Sequence, residues 1–361
     1  MKSILPKILN NFHKEQNGCL AIIGGCLEYS GSPYYSALSQ LKGGADQAHI
    51  FCTKQAAIPI KSYSPEIITH PYLHALNEQE ETDIFYQKKL KETVNKITQH
   101  QENLDSFVIG PGLGRDQWIS EYLGEIIENI KKQQIIVLDA DGIWYLIQEY
   151  NKFGLESKIF KTVVQKDSQY HILTPNQVEF QRLWKCFVNS NCLEIENKQR
   201  NQLMEDYVQG YNYFNKKILD YVQIYDFENP IVKDAVILAQ KLNNINIIHK
   251  GIIDVVTNGK EAYLTLQKSS HKRCGGIGDI LSGLVGVYCC WAQKQAKKQP
   301  HLNEENMIIL GCIFSSCLTR KASSYAYQKY NISLTAPNII EFIGKCFTES
   351  YNLYQKEDQN Q

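Results

Sequence analysis

Short apolar runs alternate along the chain with longer segments whose apolar residues recur at helical spacing. The runs at residues 20–23, 49–52, 107–109, 135–138, 171–173 and 245–249 predict strands. Segments 33–42, 118–131 and 142–150, lying between them, predict helices. Alternation of this kind predicts an α/β fold with a mostly parallel sheet covered on both faces. Further along, segments 252–257 and 261–266 flank Asn258-Gly259, a dipeptide suited to a two-residue hairpin turn. The sheet is therefore expected to end in an antiparallel edge. A glycine-rich turn follows, then a buried helix over 280–292 and two further helices near 305–327 and 336–354.

One stretch departs from this rhythm. Residues 187–229 are polar, with many Asn, Gln, Tyr and Glu and little sheet character. They are expected to form an insertion into a single domain spanning 1–355, whose tyrosines and leucines between Leu203 and Val222 suit one or two helices. The tail from 356 to 361 is expected to be disordered.

Composition narrows the function classes. The chain has 361 residues, 43% of them hydrophobic, enough for a sizeable core. Lysine plus arginine and aspartate plus glutamate both number 38, so net charge gives no electrostatic case for nucleic acid or a membrane surface. No apolar run approaches the roughly 18–20 residues needed to span a bilayer. Eleven cysteines, without any Cys-x-x-Cys spacing or matching histidines, read as reduced core thiols and not as a disulfide framework or zinc site. That usage points to a cytoplasmic protein. A mitochondrial one is the alternative, because the N-terminal stretch carries Lys2, Lys7 and Lys14 and no acid; it also lacks arginine, which favours an ordinary short helix.

The chemistry concentrates after the predicted strands, where ligands of open α/β sheets bind. The segment Cys274-Gly-Gly-Ile-Gly-Asp279 opens the apolar helix. Its glycines let the backbone approach a phosphate, with free helix N–H groups behind them. Asp279 stands where phosphoryl transfer needs a base for an attacking hydroxyl. After the strand ending at Ile109 comes Gly110-Pro-Gly-Leu-Gly114-Arg115, a second glycine-rich turn. Asp139-Ala-Asp141-Gly142 follows the next strand, with Asp141 read as a helix cap and Asp139 as a neighbour of metal or phosphate. In Thr174-Pro-Asn176-Gln177-Val-Glu179-Phe180, Thr174 and Gln177 read as a capping box with Pro175 at the first helical position. Asn176 and Glu179 are left over, an amide and a carboxylate suited to magnesium held through water. Lys250-Gly251 ends another strand and offers a point charge to phosphate.

Taken in order, these segments resemble the ATP-dependent NAD(P)H-hydrate dehydratases of the ribokinase-like superfamily, and the eukaryotic branch most closely. The resemblance also rests on Ile22-Ile-Gly24-Gly25-Cys-Leu-Glu28-Tyr29-Ser-Gly31-Ser-Pro33-Tyr34 and on Ser64-Pro-Glu66, and it covers roughly residues 19–292. It implies a three-layer α/β/α fold and repair of hydrated NADH and NADPH. In that reaction ATP phosphorylates the 6-hydroxyl, phosphate is then eliminated, and ADP and phosphate are released. By the match Asp279 is the catalytic base, and Gly275, Gly276, Ile277 and Gly278 form the anion hole. Gly112, Asn176, Gln177, Val178, Glu179, Phe180, Gln181, Arg182 and Asp279 would contact the hydrated nucleotide. Lys250, Gly251, Ile252, Ile253, Asp254, Ser269, Ser270, His271, Lys272, Arg273 and Cys274 would line the ATP site together with the anion-hole residues. Asn176 and Glu179 fall on the superfamily's magnesium-associated pattern, and relatives suggest a homo-oligomer.

Two places depart from the family pattern: Ile277 is apolar, and Ile252-Ile253 replaces a usually polar pair. No epimerase-like domain precedes residue 19, so epimerisation of the other hydrate is expected of a separate protein. A vitamin-precursor kinase of the same superfamily is the alternative. The segments 24–33 and 176–182 favour the dehydratase.

Overall fold

The computed structural model describes residues 4–6, 16–74, 83–188, 201–202, 204–205, 222–224, 229–299 and 301–358. Among them ten strands form one sheet: β1 (Cys19–Ile23), β2 (Gln47–Thr53), β3 (Ile68–Leu73), β4 (Ser106–Ile109), β5 (Ile135–Leu138), β6 (His171–Leu173), β7 (Val222–Ile224), β8 (Asn246–His249), β9 (Asp254–Thr257) and β10 (Ala262–Thr265). Their order is β3-β2-β1-β4-β5-β6-β8-β9-β10-β7. Pairing is parallel from β3 through β8 and antiparallel from β8 to β7. The predicted hairpin is present as β9–β10, and β10 carries a further antiparallel strand, β7, drawn from the stretch expected to lack sheet.

Central strands are buried on both faces, so their sequences are continuous apolar runs. Side-chain alternation still sorts them: Leu20 and Ile22 of β1 enter one core, Cys19, Ala21 and Ile23 the other. The first core is closed by α1 (Gly31–Gly43), α2 (Lys54–Tyr63) and three long C-terminal helices. The second is closed by α3 (Asp83–His100), α4 (Gln117–Asn129), α5 (Asp141–Phe153), the short α6 (Lys158–Phe160), α7 (Gln177–Phe187) and α8 (Lys233–Lys241). The C-terminal helices are α9 (Ile277–Lys298), α10 (Glu304–Tyr330) and α11 (Ala336–Asp358). This is the expected three-layer arrangement.

Helix α9 positions the site and is seated deeply. A Cβ on Gly283 would stand 2.2 Å from Ser39 Oγ and 2.3 Å from the Ser36 carbonyl, so α1 and α9 touch backbone to backbone. Ser39 Oγ also donates to the Ile280 carbonyl at 3.2 Å. These contacts fix the height at which the first turn of α9 meets the sheet.

One boundary differs from expectation. Helix α11 runs to Asp358, so the first three residues of the expected tail are helical, and 359–361 lie outside the described residues. The proposed insertion at 187–229 lies mostly outside them too. Within it Met204 is 3% exposed and belongs to the second core. The N-terminal stretch is likewise mostly outside, although Ile4 and Leu5 are buried.

Candidate active site

Three strands deliver polar residues to one point at their carboxyl ends. Asp139 follows β5, Thr174 follows β6 and Lys250 follows β8. Thr174 Oγ1 donates to Asp139 Oδ1 at 2.8 Å, and Lys250 Nζ donates to the same oxygen at 2.8 Å. The Lys250 backbone N–H is fixed by the Pro175 carbonyl at 2.9 Å. Burial alone would push the Lys250 ammonium down, but the Asp139 and Glu179 carboxylates hold it above the ordinary lysine value.

The first turn of α9 completes the group. Gly276, at the N-cap, has φ +95°, a conformation glycine adopts without strain, and no side chain caps this end. The leading N–H groups of a long helix are thus left for an anion. A Cβ on Gly278 would lie 3.3 Å from Lys250 Nζ and 3.9 Å from Asp139 Oδ2, which sets the helix end directly over the ion pair. Asp279 is hydrogen-bonded by Ser32 from the start of α1. Burial and then the nearby Asp139 raise its carboxyl to about 7, against the opposing pull of Ser32 and Lys250. A carboxylate so placed can accept a proton near neutral pH.

The α7 end is built differently from its sequence reading. Asn176 is the N-cap, its side chain accepting from the Val178 and Glu179 N–H groups, while Glu179 Oε2 accepts from the Asn176 N–H at 2.8 Å. The capping box is Asn176–Glu179 and not Thr174–Gln177. Thr174 is already committed to Asp139, and Gln177 Oε1 meets His249 Nε2 at 3.2 Å. Glu179 nevertheless faces the site, and burial raises its carboxyl above the usual range. Asp141 is also not a cap. Ala140 occupies that position, and the Asp141 carboxylate accepts from the Gly114 N–H at 3.0 Å and Arg115 Nε at 3.2 Å, pinning the second glycine turn.

A cleft of about 850 Å³ runs through this group. It is lined by Asp139, Asn176, Gln177, Glu179, Lys250, Gly251, Ile252, Asp254, Ser269, Ser270, His271, Arg273 and Cys274, and by the turn through Gly275, Gly276, Ile277, Gly278 and Asp279. Most of the sequence-derived site therefore converges. Some of it does not. Phe180 is fully buried, its ring stacked on His249 at 3.9 Å, so its side chain serves the core. Ile253 is likewise a core residue, which explains how an apolar residue fits that loop. Val178, Gln181 and Arg182 are exposed on α7 away from the cleft lining, and Lys272 Nζ donates to the Ile332 carbonyl. Gly112 is outside the cleft lining and packs against Tyr29 and against Ser32, the residue that holds Asp279.

Sequence reasoning named Asp254 but missed the residues that hold it, and several that line the cleft. Asp254 is held by Ser316 Oγ at 2.7 Å, Arg320 at 3.1 Å and the Gly251 N–H at 3.0 Å, so its carboxylate braces the Lys250–Gly251 loop from within. Ser316 and Arg320 lie one helical turn apart on α10, a spacing visible in the sequence but without a partner to give it meaning. Lys268, Thr319 and Glu205 also line the cleft. Ser32 sits inside the quoted Gly31-Ser-Pro33 segment, where its role at Asp279 had no separate signal.

A parallel sheet with a phosphate-type helix terminus at its carboxyl edge defines a nucleotide-handling α/β enzyme class, and the fold is the ribokinase-like one. A ribokinase-like superfamily protein from Enterococcus faecalis superposes with a TM-score of 0.65 at 16% identity, covering 97% of this chain and 95% of that one. An ADP/ATP-dependent NAD(P)H-hydrate dehydratase from Bacillus subtilis, co-crystallized with ATP/Mg2+, has a TM-score of 0.57 at 16% identity, covering 97% and 95%. The family profile described as NAD(P)H-hydrate dehydratase matches residues 20–214. The ATP-dependent (S)-NAD(P)H-hydrate dehydratase of Rattus norvegicus is 32% identical over 352 residues, 97% of this chain and 84% of the relative. The chain belongs to the NAD(P)H-hydrate dehydratase family.

Proposed function

We propose that this protein is an ATP-dependent dehydratase that restores NADH and NADPH from their 6-hydroxylated (S) forms. The observation that carries the reading is Asp279, raised to about 7, at an uncapped helix terminus beside Lys250. Family membership selects the dehydratase over a vitamin-precursor kinase.

The residues account for each step. Asp279 takes the proton of the 6-hydroxyl as that oxygen attacks the γ-phosphorus and the bond to the β–γ bridging oxygen breaks, releasing ADP. Backbone N–H groups from Gly275 to Gly278, with Lys250, stabilise the charge on the transferring group. Hydroxide is a poor leaving group and phosphate a good one. The C6–O bond then breaks, a proton leaves C5, and the ring double bond returns. Magnesium would neutralise the phosphate oxygens. Oxygen ligands suit it, and Glu179 lines the cleft with Oε1 outside the capping box, whereas Asn176 Oδ1 already accepts from two backbone N–H groups. Of the two, Glu179 is the residue that would hold it through water. The ATP site proper is assigned to the loops from Lys250 to Ile252 and from Ser269 to Gly278.

The test is recovery of reduced-nicotinamide absorbance from hydrated NADH with MgATP. Recovery is expected with the wild type and is expected to fall by roughly 10²–10⁴-fold in Asp279→Asn, with ATP still bound. No recovery from the correct stereoisomer by folded protein would move the reading to the kinase.

A further inference from the structure

No residue of the segment Glu28-Tyr29-Ser-Gly31-Ser-Pro33-Tyr34 lines the nucleotide cleft, although Ser32 reaches Asp279, and only Ser32 has so far been given a role. Around it stands a connected group of tyrosines. Tyr35 begins it at the anion hole, its ring 3.0 Å from where a Cβ on Gly276 would be. Tyr34 lies 5.7 Å from Tyr35, and Tyr63 of α2 lies 5.1 Å from Tyr34, edge to face. The Tyr63 hydroxyl meets Ser30 Oγ at 3.1 Å. Tyr29 closes the group against Gly112, whose Cβ would stand 2.8 Å from Tyr29 Cβ and 3.2 Å from Ser32 Cβ.

Single exposed aromatics are ordinary on a protein surface. Here Tyr63 is 47% exposed at the end of a chain of rings that starts at the Gly276 turn, and Tyr29, 56% exposed, is next in sequence to Ser30, which the Tyr63 hydroxyl meets. A structural role would bury these rings, as the fold does with Tyr122, Tyr145 and Tyr288. Open rings joined to a reaction centre suit a flat heterocycle, since every base has a π-face and stacking tolerates many partners.

The proposed substrate needs such a surface. A dinucleotide is two nucleosides joined by a diphosphate, and only its hydrated ring must reach Asp279. ATP fills the cleft on the Lys250 side, so the adenosine half of the substrate must lie elsewhere. We infer that the shelf formed by Tyr29, Tyr34 and Tyr63 is a subsite that stacks the adenine base of the hydrated dinucleotide, with Ser32 and Gly112 marking the path from the reacting ring. This inference rests on the dehydratase reading and adds a second point of attachment to it.

The test measures binding of NADH, the product dinucleotide, by calorimetry with the ATP site filled by a non-hydrolysable ATP analogue. The double variant Tyr29→Ala/Tyr63→Ala is expected to weaken NADH binding by roughly 5- to 150-fold. Tyr63→Phe, which keeps the ring, is expected to bind like the wild type. Reduced nicotinamide mononucleotide, which lacks the adenosine half, is expected to bind the wild type and the double variant equally. Unchanged NADH affinity in the double variant overturns the inference. So does an equal loss for the mononucleotide, which would mean that the reacting end itself had been disturbed. Unchanged affinity with altered sedimentation overturns it too and makes the shelf a contact between copies of the chain. Absence of turnover in the wild type removes the dehydratase reading itself, an outcome seen without any shelf variant.

Discussion

Asp279 holds a carboxyl raised from 3.8 to about 7, and two consequences follow from that single value. As the base it must be ionised, so kcat/KM for the hydrate should fall as pH drops below about 7, tenfold per unit; a flat profile between pH 5 and 7 would refute the role. For folding the sign is opposite to that of a salt-bridged acid. Between the two values the native state retains a proton that the unfolded chain has released, so this group lowers stability as pH rises from about 4 to about 7. Asp279→Asn should therefore raise the melting temperature more at pH 8 than at pH 5, with a gain on the order of 1–4 kcal/mol at pH 8. Asp139 behaves differently. It is 1% exposed and receives both Lys250 and Thr174, so Asp139→Ala leaves an ammonium buried beside a lost partner. Destabilisation of roughly 3–5 kcal/mol in chemical denaturation is expected, together with a raised KM for ATP. Lys250→Met paired with Asp139→Asn should recover much of the stability and none of the ATP affinity.

At the scale of elements, close approach decides what can change. Gly283→Ala would force α9 away from α1, and a loss of about 1–3 kcal/mol in thermal or chemical unfolding is expected, with reduced turnover because the anion hole moves with the helix. The same scale shows what the sequence made legible. Strands such as β1, β4 and β5 announce themselves because burial on both faces requires unbroken apolar runs. Strand β3 (Ile-Thr-His-Pro-Tyr-Leu) does not, because it is an edge strand with Pro71 within it and its apolar content is thin. The glycine turn before Asp279 was readable because phosphate-binding backbone needs that composition. Which residue caps α7 was not. Thr174-x-x-Gln177 and Asn176-x-x-Glu179 both satisfy the capping pattern, and only the strand end that places Thr174 against Asp139 decides between them. Asp141 was misread for a similar reason: its partners are in a loop 26 and 27 residues away.

Across the whole molecule the two cores are unequal in their dependence on the chain's end. Helix α11 contributes Ile339, Ile340 and Ile343, all at most 4% exposed, and its first residue, Ala336, abuts Gly276 of the anion hole. Three isoleucines at about 1.5–3 kcal/mol each rival a typical net stability of roughly 5–15 kcal/mol. A chain ending at Thr335 should lose its cooperative melting transition and bind a hydrophobic dye. Acid should act on the other core. His49, His70 and His171 are each lowered from 6.5 to about 4, chiefly by burial, and His49 Nδ1 shares one proton with His70 Nε2 at 2.9 Å. The unfolded chain binds protons there first, so stability is full above about 6.5 and is lost as pH falls toward 4. A melting temperature independent of pH across that window would contradict this account.

The position of β7 bears on how the molecule is made. Read from the amino terminus, the sheet grows outward from β1: β2 and β3 add on one side, then β4, β5, β6 and β8 on the other, each docking on a strand already in place. β7 alone breaks that order, because its partner β10 lies after it in the chain, from Ala262 to Thr265. At a synthesis rate of roughly 5–20 residues per second, residues 222–224 wait some seconds on the ribosome for the strand they pair with. Completion of this edge is thus tied to the moment when the β9–β10 hairpin emerges, just ahead of the glycine turn that makes the protein an enzyme.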